Sequence, residues 1–192
     1  MSDVLVLHAA LPGLEALPAA AGLLARLPYA RRLELERRDA AHRLAGLAGV
    51  ALVLDGASRL RGRPADIAQL RFPAGGKPRL EGGPRFSISH STTRVAVAVC
   101  ERCEVGLDIE DAGGVRARSL ERWTAIEAVL KAVGAGLRET GSVRLDDDLR
   151  SAMFADRRVH LLPLALSPGC VARLAAFDEL TSIAVEEVAL PW

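Results

Sequence analysis

The segment VGLDIE, residues 105–110, sets two carboxylates two positions apart. In a strand, Asp108 and Glu110 share one face while Leu107 and Ile109 share the other. Two carboxylates that close repel unless positive charge lies between them. A divalent cation is one solution. An oxygen-only pair suits magnesium, which keeps its remaining positions for water and phosphate. The plainer alternative is an Asp-x-Glu pair on a solvated strand face. In WTAIEAVLK, residues 123–131, Glu127 and Lys131 stand four apart and share a helical face. They form either a surface ion pair of small value or a third acidic ligand with a phosphate-facing cation. Lys77, in GGKPRL, is either an exposed turn lysine or a cation where glycine lets backbone approach a ligand.

RFSISHS, residues 85–91, gathers three serines and a histidine around Phe86 and Ile88. A regular strand would put Phe86, Ile88 and His90 on one face and Ser87, Ser89 and Ser91 on the other. For Ser89 and His90 both to meet a ligand, the strand must end or twist near Ser89 and release His90 at its tip. Arginines 31, 32, 37, 38 and 43 alternate with glutamates in RRLELERRDAAHR, which reads as a salt-bridged helix face or as a phosphate patch.

These groups need a scaffold, and the rest of the chain supplies the pattern for one. The 192 residues are 50% apolar and 26% charged, with net charge +1. That is a globular composition with no global argument for nucleic acid or membrane partners. Three cysteines fit a reducing compartment better than a disulfide scaffold. Cys100 and Cys103, in CERC, lack a second CxxC, so a turn between two strands is expected. The apolar N-terminus has no basic leader and is broken by Pro12, Glu15 and Pro18, which argues against export. No uninterrupted apolar run reaches membrane-spanning length.

Strands are expected at 3–8, near 70–72, and over 85–91, 94–100 and 105–110. A loop and apolar helix are expected over 14–27. A further helix is expected over 31–56, with Leu33, Leu44, Leu47 and Val50 as its stripe and Gly46 and Gly49 marking weakness or close packing. Another helix is expected over 123–136, followed by a mostly β tail. The fold class is α+β.

The ordered set GGKPRL, FSISHS, VAVAVC, VGLDIE and WTAIEAVLKAVGAGL resembles the signature of the 4′-phosphopantetheinyl transferases. It is most similar to the single-chain, surfactin-synthetase-activating type. LPYARRLELERRDAAHRL is similar to that family's N-terminal basic helix, so the resemblance runs from about residue 24 to 137. It implies two similar α/β halves, 1–104 and 105–192, related by pseudo-twofold symmetry with the site between them. It also implies a cytoplasmic monomer. The implied activity is magnesium-dependent transfer of phosphopantetheine from coenzyme A to a serine of an acyl or peptidyl carrier protein, releasing adenosine 3′,5′-bisphosphate.

The resemblance further implies roles at matching positions. Asp108, Glu110 and Glu127 would hold magnesium at the coenzyme A pyrophosphate. Glu127 would help deprotonate the carrier serine. Lys131 would face the pyrophosphate or the proton passed to the leaving group. Ser89 and His90 would contact coenzyme A phosphates, His90 at the 3′-phosphate. Arg43, with Arg31 or Arg32, would join it there, and Lys77 would lie near the nucleotide end. Two departures stand out. Only DAGGVRARSLER separates Glu110 from Trp123, where relatives carry a longer carrier-docking stretch, and Ile126 stands where the family often has lysine. A catalytically impaired member that binds coenzyme A or a carrier without turnover is the alternative, and a metal-dependent phosphohydrolase is a third.

Overall fold

The computed structural model describes residues 3–113 and 117–192. Its first unit starts with β1 (Val4–Ala10), buried from Val4 to Ala9. Two short helices follow, α1 (Leu17–Arg26) and α2 (Tyr29–Glu36), and then the long α3 (Ala40–Arg61). β2 (Leu70–Arg71) pairs with β3 (Arg79–Leu80) around the GGKP loop. β4 (Arg85–His90) and β5 (Arg94–Cys100) form an antiparallel hairpin, and β5 returns antiparallel beside β1.

The second unit repeats that order. β6 (Val105–Asp111) is followed by α4 (Ala117–Val133), then β7 (Val143–Leu145), β8 (Ser151–Phe154), β9 (Arg157–Leu164) and β10 (Cys170–Ala176). β9 and β10 form a hairpin, and β10 lies antiparallel beside β6. Strand, long helix, hairpin is thus the plan of both units, in a mixed α+β architecture. The boundary expected at residue 104/105 is crossed once. β11 (Ile183–Glu187) leaves the second unit and joins the first sheet, parallel to β1. The sheet orders are β11-β1-β5-β4 and β6-β10-β9-β8-β7. Val188, Leu190 and Trp192 pack with the first unit's core, which is the apolar burial that draws the terminal segment back.

Three apolar layers hold the assembly. α3 covers one face of the first sheet through Leu44, Leu47, Val50 and Val53 against Leu5, Leu7, Val97 and Val99. The opposite face, with Val4, Val6, Ala96 and Ala98, meets Leu107, Ile109, Ala172 and Leu174 of the second sheet. α4 covers the outer face of the second sheet through Ala125, Ala128, Val129 and Ala132. α3 is the one described helix long and apolar enough to cross a membrane, and 61% of its apolar window is buried inside the protein. It is the core helix of the first unit.

The helix expected over 31–56 is two helices. Asp39 interrupts it by capping α3, its carboxylate accepting the His42 N–H at 2.9 Å, an arrangement favoured over continuing the helix. The break changes the phase of α2, so Leu35 is buried and Leu33 only half-buried. Gly62, at φ +62°, closes α3 in the left-handed form that glycine adopts without penalty. Gly46 and Gly49 do mark close packing: a Cβ on either would stand 2.6 Å from Leu35 Cδ2 or Ile88 Cγ2. α4 begins before Trp123 and ends at Gly134, φ +74°. The CERC segment is a turn, with the two buried thiols 3.2 Å apart.

Candidate functional site

β4 and β6 are edge strands of different sheets, and they abut without pairing to each other. An edge strand leaves alternate N–H groups open. Here serines fill them: the Leu107 N–H donates to Ser87 Oγ at 2.9 Å, and the Ile109 N–H donates to Ser89 Oγ at 3.2 Å. The alternation expected in RFSISHS therefore holds, with Phe86 and Ile88 in the α3 core and Ser87 and Ser89 on the seam. The strand ends at His90, which is exposed at its tip. Ser89 is only 4% exposed. It is a strut between the units and not a free phosphate contact, because its hydroxyl is spent on partners of β6 and α4.

Asp108, Glu110, Glu127 and Lys131 come together on the α4 side of β6. Gly106 makes this possible. A Cβ there would stand 1.9 Å from Ala128 O and 2.3 Å from Ala132 N, so only glycine lets the α4 backbone lie on β6. Beside that contact, Lys131 Nζ donates to Asp108 Oδ1 at 2.6 Å and to Ser89 Oγ at 2.9 Å. Ser89 Oγ donates to the same Asp108 oxygen at 2.9 Å. Glu127 Oε2 lies 3.9 Å from Lys131 Nζ. Arg173 stands opposite Asp108 in the β10–β6 register, and its buried guanidinium approaches Glu121 Oε2 at 3.9 Å; nothing in the sequence pattern announced it.

The electrostatics are those of crowded acids. Desolvation raises the Glu127 pKa above the usual carboxylate range, and the nearby Asp108 charge raises it further. Desolvation and Asp108 do the same to Glu110. A carboxyl with a raised folded-state pKa destabilises the fold above that pKa and stops doing so as pH falls through it. Glu127→Gln is therefore expected to raise the melting temperature at pH 7–8, and the gain should shrink as pH falls through the raised folded-state pKa and be gone below the ordinary carboxylate value. A thermal melt of both proteins across that range checks it.

Asp108 is 2% exposed, and its Oδ2 is buried with no hydrogen-bond partner. A buried unpaired carboxylate oxygen is costly, and a hard cation would satisfy it. Among the described residues, no three acidic, histidine or cysteine side chains are drawn into a closed metal-binding group. Magnesium does not need one. It is held by one or two carboxylates and completes its shell with water and phosphate. Asp108 with Glu110 or Glu127, whose charges act on one another, is a carboxylate pair of that kind.

Beside this cluster, His90, Ser91, Thr92 and Glu110 meet His42 and Ala45 of α3 around a cavity of about 320 Å³. The imidazoles of His42 and His90 stand edge to face, centroids 6.0 Å apart. Desolvation lowers the His90 pKa, and the charges of His42 and Lys131 add to that. His42 is a candidate the sequence reading missed. Its signal was its place in the first turn of a helix capped by Asp39.

The arginines expected beside His90 are engaged elsewhere. Arg43 donates to the carbonyls of Leu35, Glu36 and Arg38 at the end of α2, where helix termination leaves carbonyls without intrahelical partners. Arg31 stacks on Phe72 at 4.6 Å and pairs with Glu34 at 2.8 Å. Arg32 lies over Tyr29 at 5.5 Å.

Lys77 is tied to Glu104 Oε2 and Val105 O, both at 2.7 Å, and more weakly to Ala132 O at 3.4 Å. It fastens the GGKP loop to the start of β6 and the end of α4. The same loop, with Phe86, Ser87, Ile88 and Lys131, bounds a cleft of about 240 Å³. Lys77→Met is expected to cost ~1–3 kcal/mol by stranding half-buried acceptors. Urea unfolding measures this, and unchanged stability would show that the lysine does no structural work.

No family model matches the chain, and no curated protein matches it in sequence. Residues 114–116, within the Glu110–Trp123 segment, lie outside the described residues.

Proposed function

We propose that this chain is a magnesium-dependent 4′-phosphopantetheinyl transferase. The observation that carries the proposal is the meeting of Asp108, Glu110, Glu127 and Lys131 at the seam of two units, beside an exposed His90. Two further features support it. Strand, helix, hairpin recurs in both units, as two related halves would require. The cleft below the GGKP loop opens beside Lys131 of the acidic cluster, which leaves room next to the proposed pyrophosphate position.

The reaction needs charge management more than covalent work by the protein. The carrier serine Oγ bonds to the phosphorus bearing pantetheine. The bridging P–O bond of the pyrophosphate breaks, and adenosine 3′,5′-bisphosphate leaves. Glu127, with its raised pKa, accepts the serine proton directly or through water. A base whose pKa lies nearer the working pH is the more effective one. Lys131 faces the pyrophosphate from the floor of the seam and offsets charge on the leaving group. His90, with His42 beside it, receives the 3′-phosphate. Asp108 with Glu110 or Glu127 would hold magnesium, which would supply Lewis-acid neutralisation of the pyrophosphate.

The test is direct. The protein is incubated with coenzyme A, magnesium and apo acyl or peptidyl carrier proteins, and each carrier is weighed. A gain of one phosphopantetheine supports the proposal. Coenzyme A binding without any gain identifies a non-catalytic relative. Coenzyme A breakdown without a carrier identifies a phosphohydrolase.

A further inference from the structure

The β4–β5 turn carries His90 on one side of the seam, and the end of β6 carries Glu110 on the other. A single side chain ties them. Asp111 Oδ1 accepts the Ser91 hydroxyl at 2.8 Å and the Thr93 hydroxyl at 2.6 Å. Its Oδ2 accepts the Thr92 N–H at 2.9 Å and also the Thr92 hydroxyl. One carboxylate thus collects four hydrogen bonds from three consecutive residues of the other sheet. Its own strand end is held firmly, since the Ala112 N–H donates to Gly169 O at 2.7 Å. Ser91 and Thr92 line the His42–His90 cavity, and Glu110 lines it from the opposite side.

We infer that Asp111 is a positioning residue that sets the separation of the two walls of the site, the imidazole wall of α3 and β4 and the carboxylate wall of β6. This rests on the transferase reading for its functional consequence, though not for its geometry. A ligand with two phosphate groups must meet both walls at once. The ribose that links them limits how far apart its phosphates can stand, so the wall spacing has to fall within that range. Ser87 and Ser89 fasten the same seam further in, where the site is closed. Beyond Ser89 the Asp111 contacts tie the open end, next to the histidine. Asp111 touches none of the proposed reacting groups. Its effect is on where His90 stands relative to Glu110, and thus on ligand fit before chemistry.

Asp111→Ala and Asp111→Asn are compared with the unaltered protein in three measurements. Expected for Asp111→Ala is a rise in the coenzyme A KM of about 10- to 100-fold, the scale for misplacing bound groups by an ångström, with kcat at saturation changed much less. Asp111→Asn keeps an acceptor for Ser91 and Thr93 but opposes the Thr92 N–H, so its KM should fall between. Amide hydrogen exchange at Thr92 should accelerate in both variants while the amides of β5 stay protected. An unchanged KM in Asp111→Ala overturns the inference, and so does unchanged Thr92 protection. Equal loss of kcat and kcat/KM also overturns it, since that would be a catalytic role. The exchange measurement needs no turnover. Faster Thr92 exchange in an unaltered fold that shows no transfer would uphold the tie and remove the transferase reading.

Discussion

Asp108→Asn is expected to leave the protein folded and to lower carrier modification by roughly 10³-fold, the scale seen when a single group that meets developing charge is removed. The asparagine retains an acceptor for Lys131 and Ser89, so the seam survives. What it loses is the charge at Oδ2, the buried oxygen with no partner. Asp108→Ala should abolish transfer too, but it also removes the acceptor that Lys131 and Ser89 share. That variant is expected to lose stability as well. The mass of the carrier after incubation gives the activity, and a thermal melt separates the two effects. A second readout is magnesium itself. A bound ion raises the melting temperature by mass action, so magnesium should stabilise the unaltered protein and not Asp108→Asn. Retained transfer in Asp108→Asn would remove the metal assignment.

Gly106→Ala is expected to be the most damaging Gly→Ala change among the described residues. The added Cβ would meet the Ala128 carbonyl oxygen at 1.9 Å and the Ala132 nitrogen at 2.3 Å. Both are helix backbone atoms and cannot swing aside as a side-chain end can. Overpacking typically costs ~1–3 kcal/mol, occasionally more, and backbone on the far side puts this site at the upper end. For a chain of this size that lowers the melting temperature by about 10 °C. The functional loss should be larger than the stability loss suggests. To accommodate the methyl, α4 must lift from β6, and Glu127 and Lys131 lift with it. Gly141→Ala is the control, since nothing lies within 4 Å of a Cβ there. Soluble, active Gly106→Ala with an unshifted melt would show that α4 does not depend on this contact.

The alternation of RFSISHS and VGLDIE was legible from side-chain period alone, and so was the pairing of Glu127 with Lys131 on one helical face. So too was the α+β class. These are local properties, set by two- and four-residue spacings. The split between α2 and α3 was partly legible: Asp39 is a good cap, but the apolar spacing on both sides hid the break. The return of β11 to the first sheet was not legible. Which sheet a terminal strand joins depends on where apolar surface remains uncovered, and no local pattern records that.

The same division runs through the site. Side-chain chemistry marked Asp108, Glu110, Glu127, Lys131 and His90 as groups suited to phosphate and a hard cation, because residue type and period are written in the chain. Their function as a set depended on distances between residues that are far apart in sequence. Only the tertiary structure decided that Ser89 is a strut, that Arg43 closes a helix and that Lys77 clamps a loop. A hydroxyl, a guanidinium or an ammonium binds whatever acceptor lies within about 3 Å, and folding chose protein acceptors for these three. It also brought in His42, Arg173 and Asp111, whose partners lie on other strands and helices. The spacing of charges along the chain marked the candidate groups, and the packing of α4 onto Gly106 decided where they are assembled.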